Sequence, residues 1–197
     1  MLTQTMKKNL RQEKIMLSLD NLNYATRKQL QIINNLGGTR NAQRILQRME
    51  KEGLIKSERL ELKIYYLSDK GKQVIGSGKG KLKKSQIIHT LMRNDLYINL
   101  GMPKDWKKEI PLKMNKEVLL IADAMFTQNG VNHFVEIDNK QSMKNNREKI
   151  LKYSKIFPAI HKQFGHHPVL IWYTFSEIRK EKLKEACTKA GLKFIVY

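Results

Sequence analysis

The sequence has 197 residues, 41% of them hydrophobic, which is enough for one medium domain or two small ones with their own cores. It has no apolar run near the about 20 residues of a membrane span and no apolar signal-peptide stretch at its start, so we expect a cytoplasmic protein without a membrane partner. Its single cysteine, Cys187, excludes internal disulfides and multi-cysteine zinc sites. The 38 Lys and Arg against 18 Asp and Glu give a net charge of +20, which favours a polyanionic partner, but charge alone does not separate DNA from RNA or from an anionic membrane surface.

The first predicted helix covers residues 6–19 and has apolar side chains on two sides. One side carries Met6, Leu10 and Leu17, and the other carries Ile15, Met16 and Leu19. Two apolar sides predict a helix that packs on its own domain and also meets another partner. A second subunit is the candidate, so we expect a homodimer.

Residues 26–71 have the element order of a DNA-reading domain. The pattern predicts a helix at 26–33, a sharp glycine turn at 37–38 and a second helix at 39–49. Two hairpin strands are predicted at 54–57 and 64–67. Thr39 is the predicted N-cap of the second helix. This order is typical of a winged helix-turn-helix, in which the hairpin is the wing.

The second of these helices is amphipathic. Its apolar side chains recur at helical spacing and predict a buried face of Ala42, Ile45, Leu46 and Met49. Arg bonds guanine bidentately and Asn or Gln bonds adenine in the same way, so the opposite face suits base reading. The candidate DNA-binding residues are Arg40, Asn41, Gln43, Arg44, Gln47, Arg48 and Lys51 on this helix and Lys63 in the wing. The alternative is a solvated basic face that contacts no DNA.

A glycine- and lysine-rich segment follows the predicted wing. Residues 76–84 contain three glycines and four lysines, which predicts a flexible or phosphate-contacting connector. We therefore predict a winged helix-turn-helix domain at residues 1–76, a linker at 77–84 and a second domain at 85–197.

The second domain has a different pattern of apolar residues, in which predicted strands alternate with helices. The pattern predicts a helix at 86–98, an extended edge segment at 106–110 and two hairpin strands at 118–126 and 131–138. A helix at 145–157, a buried strand at 168–175, a helix at 176–190 and a last strand at 193–197 follow. Asn129-Gly130 predicts a tight hairpin turn, and Pro158 is expected to end or kink its helix, although the pattern resumes to residue 163. This order predicts an α/β (α+β) fold with a mixed sheet.

Carboxylates in the predicted hairpin are candidate metal ligands. Asp123 lies late in one strand, and Glu136, Asp138 and Lys140 share one face of the next by their spacing of two. Such carboxylates suit Mg²⁺, which prefers oxygen ligands and activates water against a phosphodiester. The alternative is a polar strand face or a salt-bridged carboxylate at a strand end.

The order helix, three strands, helix, strand, with Asp123 before Glu136, resembles the PD-(D/E)xK nuclease superfamily, which has the restriction-endonuclease-like fold. The resemblance implies that the two acids bind metal and that a lysine two residues after the second acid polarises the attacking water. Position 138 is Asp in this sequence, and Ala122 stands where the pattern has proline.

Two alternatives would restore the missing lysine. In one, Asp138-Asn139-Lys140 is the acid-x-lysine triplet, with Lys140 as the catalytic lysine. In the other, Lys149 or Lys152 on the following helix reaches back into the site. The departure from the pattern affects the lysine that catalysis needs, whereas the two acids that metal binding needs are present.

A resemblance to the replication-relaxation family covers nearly the whole chain. It rests on the leading winged helix, on residues 89–95 (HTLMRND), on the alanine-aspartate strand, on residues 134–138 (FVEID) and on Lys152-Tyr153. The resemblance implies a DNA-binding accessory or regulatory protein of a plasmid, phage or conjugative element of Gram-positive bacteria.

Three functions follow from these patterns. The first is a sequence-specific double-stranded DNA-binding protein that requires no cofactor and acts in transcription, replication or transfer, with replication or conjugation proteins as further partners. The second is a Mg²⁺-dependent DNA nuclease, a nickase, targeted by the winged helix. The third is an RNA-binding or scaffolding protein of a replication complex.

Overall fold

The computed structural model describes residues 3–139 and 141–197, and the chain divides into two compact units, Met1–Ile98 and Asn99–Tyr197. Helices combine with a three-stranded and a five-stranded sheet, which confirms the predicted α+β class. Within the two described ranges, no helix has both the length and the apolar character that a bilayer crossing requires.

The first unit combines helices with a small antiparallel sheet. Its elements are α1 Gln4–Leu22, β1 Ala25–Thr26, α2 Arg27–Ile33, α3 Thr39–Lys51, β2 Ile55–Arg59, β3 Lys63–Leu67, α4 Asp69–Ile75 and α5 Lys84–Asn99. The strand order is β1-β3-β2, with both pairs antiparallel. Ile15, Leu30, Leu46 and Met49 are fully buried, so α1, α2 and α3 share one core.

The two predicted sides of α1 differ in burial. The side with Ile15, Met16 and Leu19 packs into the core. Met6, Leu10 and Leu17 on the other side are 49–52% exposed. The helix therefore buries one apolar side and leaves the second in contact with solvent.

The helix starts follow local capping chemistry. Thr26 caps α2 in a capping box with Gln29, whose side chain accepts a bond from the Thr26 N–H. The N-cap of α3 is Gly38, so the predicted cap at Thr39 is wrong by one residue. Gly38 has the extended backbone of a cap, and Thr39 is already helical.

Helix α4, Asp69–Ile75, lies where the sequence pattern predicts no element between the hairpin and the connector. Ser68 caps the helix by accepting a bond from the Gly71 N–H. A Cβ on Gly71 would lie 1.9 Å from the Leu54 carbonyl oxygen. Glycine is therefore required here by a close backbone approach and does not mark the end of an element.

The boundary between the units falls after Ile98 and not after the predicted residue 84. The physical reason is that α5 packs on the first unit: Asn94 Nδ2 donates to the Tyr24 carbonyl at 2.7 Å, and Gln29 Nε2 donates to the Leu91 carbonyl at 2.9 Å. The segment before α5, predicted to be a flexible connector, is tied to α1, since Ser77 and Lys79 both bond Asp20.

The second unit is built on a mixed sheet. Its elements are β4 Lys107–Met114, β5 Glu117–Gln128, β6 Val131–Ile137, α6 Met143–Phe164, β7 Val169–Tyr173, α7 Glu177–Lys189 and β8 Phe194–Val196. The strand order is β4-β5-β6-β7-β8. Strands β4, β5 and β6 pair antiparallel, and β6, β7 and β8 pair parallel. The predicted mixed sheet is confirmed.

Two local predictions in this unit have different outcomes. Asn129 and Gly130 both have positive φ, at 51° and 74°, as the predicted tight hairpin turn requires. Of the two outcomes expected at Pro158, the end of the helix is wrong, because α6 runs on to Phe164 with Pro158 inside it. The resumption of the helical pattern to residue 163 agrees with this end.

Candidate functional site

The outward face of α3 is polar and exposed. Ala42, Leu46 and Met49 are fully buried on the inner face, as their periodicity predicts. The side chains left on the surface are those of Arg40, Gln43, Arg44, Gln47, Arg48 and Lys51. The helix therefore presents guanidinium and amide groups to solvent along its length.

Asn41 differs from the other predicted DNA-binding residues of α3. It is half-buried, and its Nδ2 donates to the Leu36 carbonyl at 2.8 Å. Its Oδ1 accepts a bond from Arg44 Nη2 at 3.0 Å. Both ends of the amide are therefore engaged at the turn before α3, where Asn41 stabilises the turn and orients Arg44.

Glu52 connects the end of α3 to α1. Its carboxylate accepts bonds from Lys8 Nζ at 2.6 Å and from Gln12 Nε2 at 2.5 Å, and Arg48 Nε lies 3.3 Å from it. The bonds from Lys8 and then Gln12 lower the pKa of Glu52. Arg48 is thereby drawn towards α1, at the side of the outward face.

Glu50 connects α3 to the hairpin. Its carboxylate accepts bonds from Ser57 Oγ on β2 at 2.5 Å and from Lys63 Nζ on β3 at 2.9 Å. The bond that Lys63 donates to Glu50 raises the pKa of Lys63, and the Lys63 ammonium also lies 5.1 Å from the centre of the Tyr65 ring. Lys63 is a predicted DNA contact, whereas no pattern pointed to Glu50, because the two residues are 13 positions apart and no local signal relates them.

In the second unit, two acids meet on neighbouring strands. The register of β5 and β6 pairs Ala124 with Val135, so the next pair is Asp123 and Glu136, on one face of the sheet. Asp123 Oδ2 accepts a bond from the Ile137 N–H at 2.7 Å. The predicted grouping of Asp123 with Glu136 is present.

Helix α6 supplies the partners of Glu136. Lys149 Nζ lies 2.5 Å from Glu136 Oε2, and the Tyr153 hydroxyl donates to Glu136 Oε1 at 2.7 Å. Lys149 and Tyr153 are one turn apart, so both reach the strand from the same face of the helix. Of the two lysines considered on this helix, Lys149 therefore reaches the acid, whereas Lys152 is exposed.

The Glu136 carboxyl is fully buried, and this dominates its titration. Burial and then the charge of Asp123 raise the pKa of Glu136 to about 8, against the opposing effects of Lys149 and Tyr153. A carboxyl with this pKa carries a proton in a large fraction of molecules at neutral pH.

The predicted grouping of Asp138 with these acids is not found. Asp138 follows the end of β6, where strand alternation no longer applies, and both its oxygens are bonded by Arg179 of α7 at 2.6 Å. Arg179 also donates to the Gln141 carbonyl. The described ranges contain no group of three or more His, Cys, Asp or Glu side chains placed to hold a metal ion. Lys140, the predicted catalytic lysine, lies outside the described residues.

The remaining pair of acids fits Mg²⁺ in its donor chemistry. Mg²⁺ prefers oxygen ligands, keeps several waters and is commonly held by one or two carboxylates, such as those of Asp123 and Glu136. Among the described residues, each oxygen of Glu136 accepts one bond, and an ionised carboxylate oxygen can accept a second contact. A cation bound between Asp123 and Glu136 would offset the repulsion between the two carboxylates, and this gain favours binding.

Comparison with known proteins gives a family match. The model of the replication-relaxation family matches residues 16–170, a range that begins within α1 and ends within β7. It includes α3 and the Asp123, Glu136, Lys149 and Tyr153 cluster. No curated protein and no solved structure matches the chain.

Proposed function

The chain belongs to the replication-relaxation family, and on that premise we propose that it is a sequence-specific double-stranded DNA-binding protein of a mobile element, acting in replication, transfer or transcription. The observation that carries the proposal is the exposed outward face of α3. The first unit is then a winged helix-turn-helix, with α2 and α3 as its helices and the β2–β3 hairpin as its wing.

The side chains of α3 suit direct reading of bases. Arg40 and Arg44 each present a planar donor pair that matches the acceptors of guanine, and Gln43 and Gln47 match adenine in the major groove. Arg44 has the best-defined position, because Asn41 bonds its guanidinium. Arg40, Gln43, Arg44 and Gln47 are the proposed base contacts, and Arg48, Lys51 and Lys63 are the proposed phosphate contacts.

The charge of the whole chain supports the same partner. With 38 basic and 18 acidic residues, the protein attracts the phosphate backbone at long range, and the rate of association falls as the salt concentration rises. Phosphate contacts give affinity without base preference, and contacts to base edges give specificity. The proposal therefore needs both the general charge and the particular side chains of α3.

The experiment that tests it is selection of bound duplexes from a randomised pool, followed by competition with RNA of equal length at matched salt. We expect enrichment of a common motif and weak competition by RNA. A pool without enrichment, or RNA that competes as well as the selected duplex, would favour a nonspecific or RNA-binding protein.

A second copy of the chain is the proposed partner of the exposed side of α1. Glu13 and Lys14, both exposed, flank the stripe of Met6, Leu10 and Leu17 on opposite sides. Two parallel helices would place Glu13 of each copy beside Lys14 of the other. Sedimentation of the wild type and of Leu17→Glu tests this: a dimer converted to a monomer supports it, and a monomeric wild type rules it out.

A second candidate function is a Mg²⁺-dependent DNA nuclease with a restriction-endonuclease-like fold. The observation that favours it is the acid, acid and lysine grouping of Asp123, Glu136 and Lys149. In this function Asp123 and Glu136 would hold the ion, and the Lys149 ammonium would donate a hydrogen bond that orients a water molecule towards the phosphodiester. Bound Mg²⁺ would supply positive charge at the phosphodiester and lower the pKa of water.

Supercoiled-plasmid cleavage with Mg²⁺ and with Mn²⁺ tests this second function. Nicking that disappears in both Glu136→Ala and Lys149→Met would establish a nuclease. Intact plasmid, with DNA binding observed on the same gel, would leave DNA binding as the function and the second unit as a scaffold.

A further inference from the structure

Helix α6 carries a basic ridge on the side that faces away from its core. The ridge consists of five exposed residues, Lys144, Arg147, Lys152, Lys155 and Lys162. The opposite side of the helix carries Ile150, Tyr153 and Phe157, which are buried in the unit core. The orientation of α6 is therefore fixed by its apolar side, and the ridge is held outwards.

Among the described residues, the cations of the ridge form no close ion pair, in contrast with three lysines of α7. Three lysines of α7 pair with acids one turn away: Lys180 with Glu177 at 2.7 Å, Lys184 with Glu181 at 2.7 Å and Lys189 with Glu185 at 2.6 Å. Among the residues that the structure describes, none forms an ion pair with a ridge side chain. Glu148, the one acid in the sequence of α6, is exposed and lies one turn from Lys144 and from Lys152. On α7, the bond from Lys189 lowers the pKa of Glu185, and the charge of Arg147 lowers it further.

This difference indicates a ligand for the ridge. Like charges three or four residues apart on a helix repel each other, and Lys144 with Arg147, and Lys152 with Lys155, have this spacing. On α7 the alternating acids remove the repulsion. On α6 the single acid Glu148 offsets only part of the repulsion among five cations, and a row of phosphates along the helix would offset the rest.

We propose that the α6 ridge binds the phosphate backbone of double-stranded DNA without reading bases. The proposal rests on the DNA-binding function proposed above and adds a second contact surface, in the second unit. From Lys144 to Lys155 the helix rises about 16 Å. A duplex carries one charge per about 1.7 Å of its axis, so roughly ten phosphates lie along that length. Lysine ammoniums bind phosphates as point charges and lack the rigid, planar donor pair with which arginine reads a base.

The test uses the full chain, with a matched control. Lys152→Gln/Lys155→Gln removes two charges from the ridge, and Lys180→Gln/Lys184→Gln removes two charges from α7. Affinity for a random-sequence duplex is measured by fluorescence anisotropy over a series of salt concentrations. Each phosphate neutralised contributes about 0.9 to the slope of log K against log salt, so the ridge variant is expected to lose about 1.8, and the α7 variant much less.

Two results would overturn the inference. One is a wild-type slope in the ridge variant, and the other is an equal loss in the α7 variant, which would show a general charge effect. Arg44→Ala is measured beside them on the selected site. If Arg44→Ala no longer binds the selected site while the ridge variant behaves as wild type, the ridge proposal fails and the base-reading function stands. If the wild type binds no duplex, the ridge proposal and the base-reading function both fail. Binding of the ridge to anionic lipid vesicles would then assign it another ligand.

Discussion

Lys149 Nζ lies 2.5 Å from Glu136 Oε2, so a lysine of α6 meets the buried acid of β6. The resembling nuclease pattern places its lysine on the strand, two residues after the acid. In this chain that position is Asp138, which is bonded to Arg179. Position 138 is therefore part of an ion pair with α7, and the ammonium beside Glu136 comes from a helix.

The ionisation of Glu136 should make the second unit less stable as pH rises. The pKa is raised from 4.5 in the unfolded chain to about 8 in the fold, so between these values the folded state binds more protons than the unfolded state. Stability linked to this group is then full below pH 4.5 and is lost as pH rises to 8. At about 1.4 kcal/mol per pKa unit, the loss amounts to a few kcal/mol, and Glu136→Gln should remove it.

Urea unfolding at pH 5 and pH 8 measures this effect. Both tryptophans, Trp106 and Trp172, lie in the second unit, so their fluorescence reports that unit alone. Glu148→Gln, at an exposed acid of α6, is the control and should keep the wild-type pH profile. Equal pH profiles for the wild type and Glu136→Gln would contradict the assignment.

Local signals in the sequence predicted the elements whose cause is local. Asn129-Gly130 was sufficient to predict the turn between β5 and β6, because both positions need positive φ. Ser176 was sufficient to predict the start of α7, since its side chain caps the helix. Neither feature depends on distant parts of the chain.

The features that the sequence did not predict join distant residues. Asp138 and Arg179 are 41 residues apart, and Asn94 and Tyr24, which hold α5 on the first unit, are 70 apart. No periodicity relates such pairs. The predicted metal ligand Asp138 and the predicted domain boundary both fell at positions where these long-range contacts decide the structure.

Gly71→Ala should destabilise the first unit. A Cβ at this position would lie 1.9 Å from the Leu54 carbonyl oxygen, so α4 must move away from the backbone before β2. Overpacking of this kind costs about 1–3 kcal/mol. Helical circular dichroism on heating measures the loss. Gly78→Ala is the matched control, since nothing lies within 4 Å of its Cβ, and equal melting curves for the two variants would refute the close contact.

The two halves of the Asp138–Arg179 ion pair should respond unequally to substitution. Asp138 is 0% exposed and Arg179 is 24% exposed. Arg179→Met leaves a buried charge without its partner, which costs about 3–5 kcal/mol. Asp138→Asn leaves an arginine that can turn to solvent, so it should cost less. Tryptophan fluorescence in urea gives both values. If Asp138 were instead a metal ligand, Asp138→Asn would leave stability unchanged and weaken Mg²⁺ binding.

Arg44→Ala tests base reading most directly. Removal of a bidentate contact should cost about 1–3 kcal/mol on the selected site and relax the base preference at one position. The loss on random duplex should be small, since that binding comes from phosphates. Affinities for both duplexes at one salt concentration give the comparison.

Arg48→Ala is the matched control for Arg44→Ala, because the Arg48 guanidinium is drawn aside by Glu52. It should weaken both duplexes by the same small factor and leave the selected motif unchanged. An Arg44→Ala variant that behaves in this way would assign Arg44 to the phosphate backbone. In that case the base-reading role would pass to Arg40, Gln43 and Gln47, and the same two-duplex comparison would be repeated on those side chains.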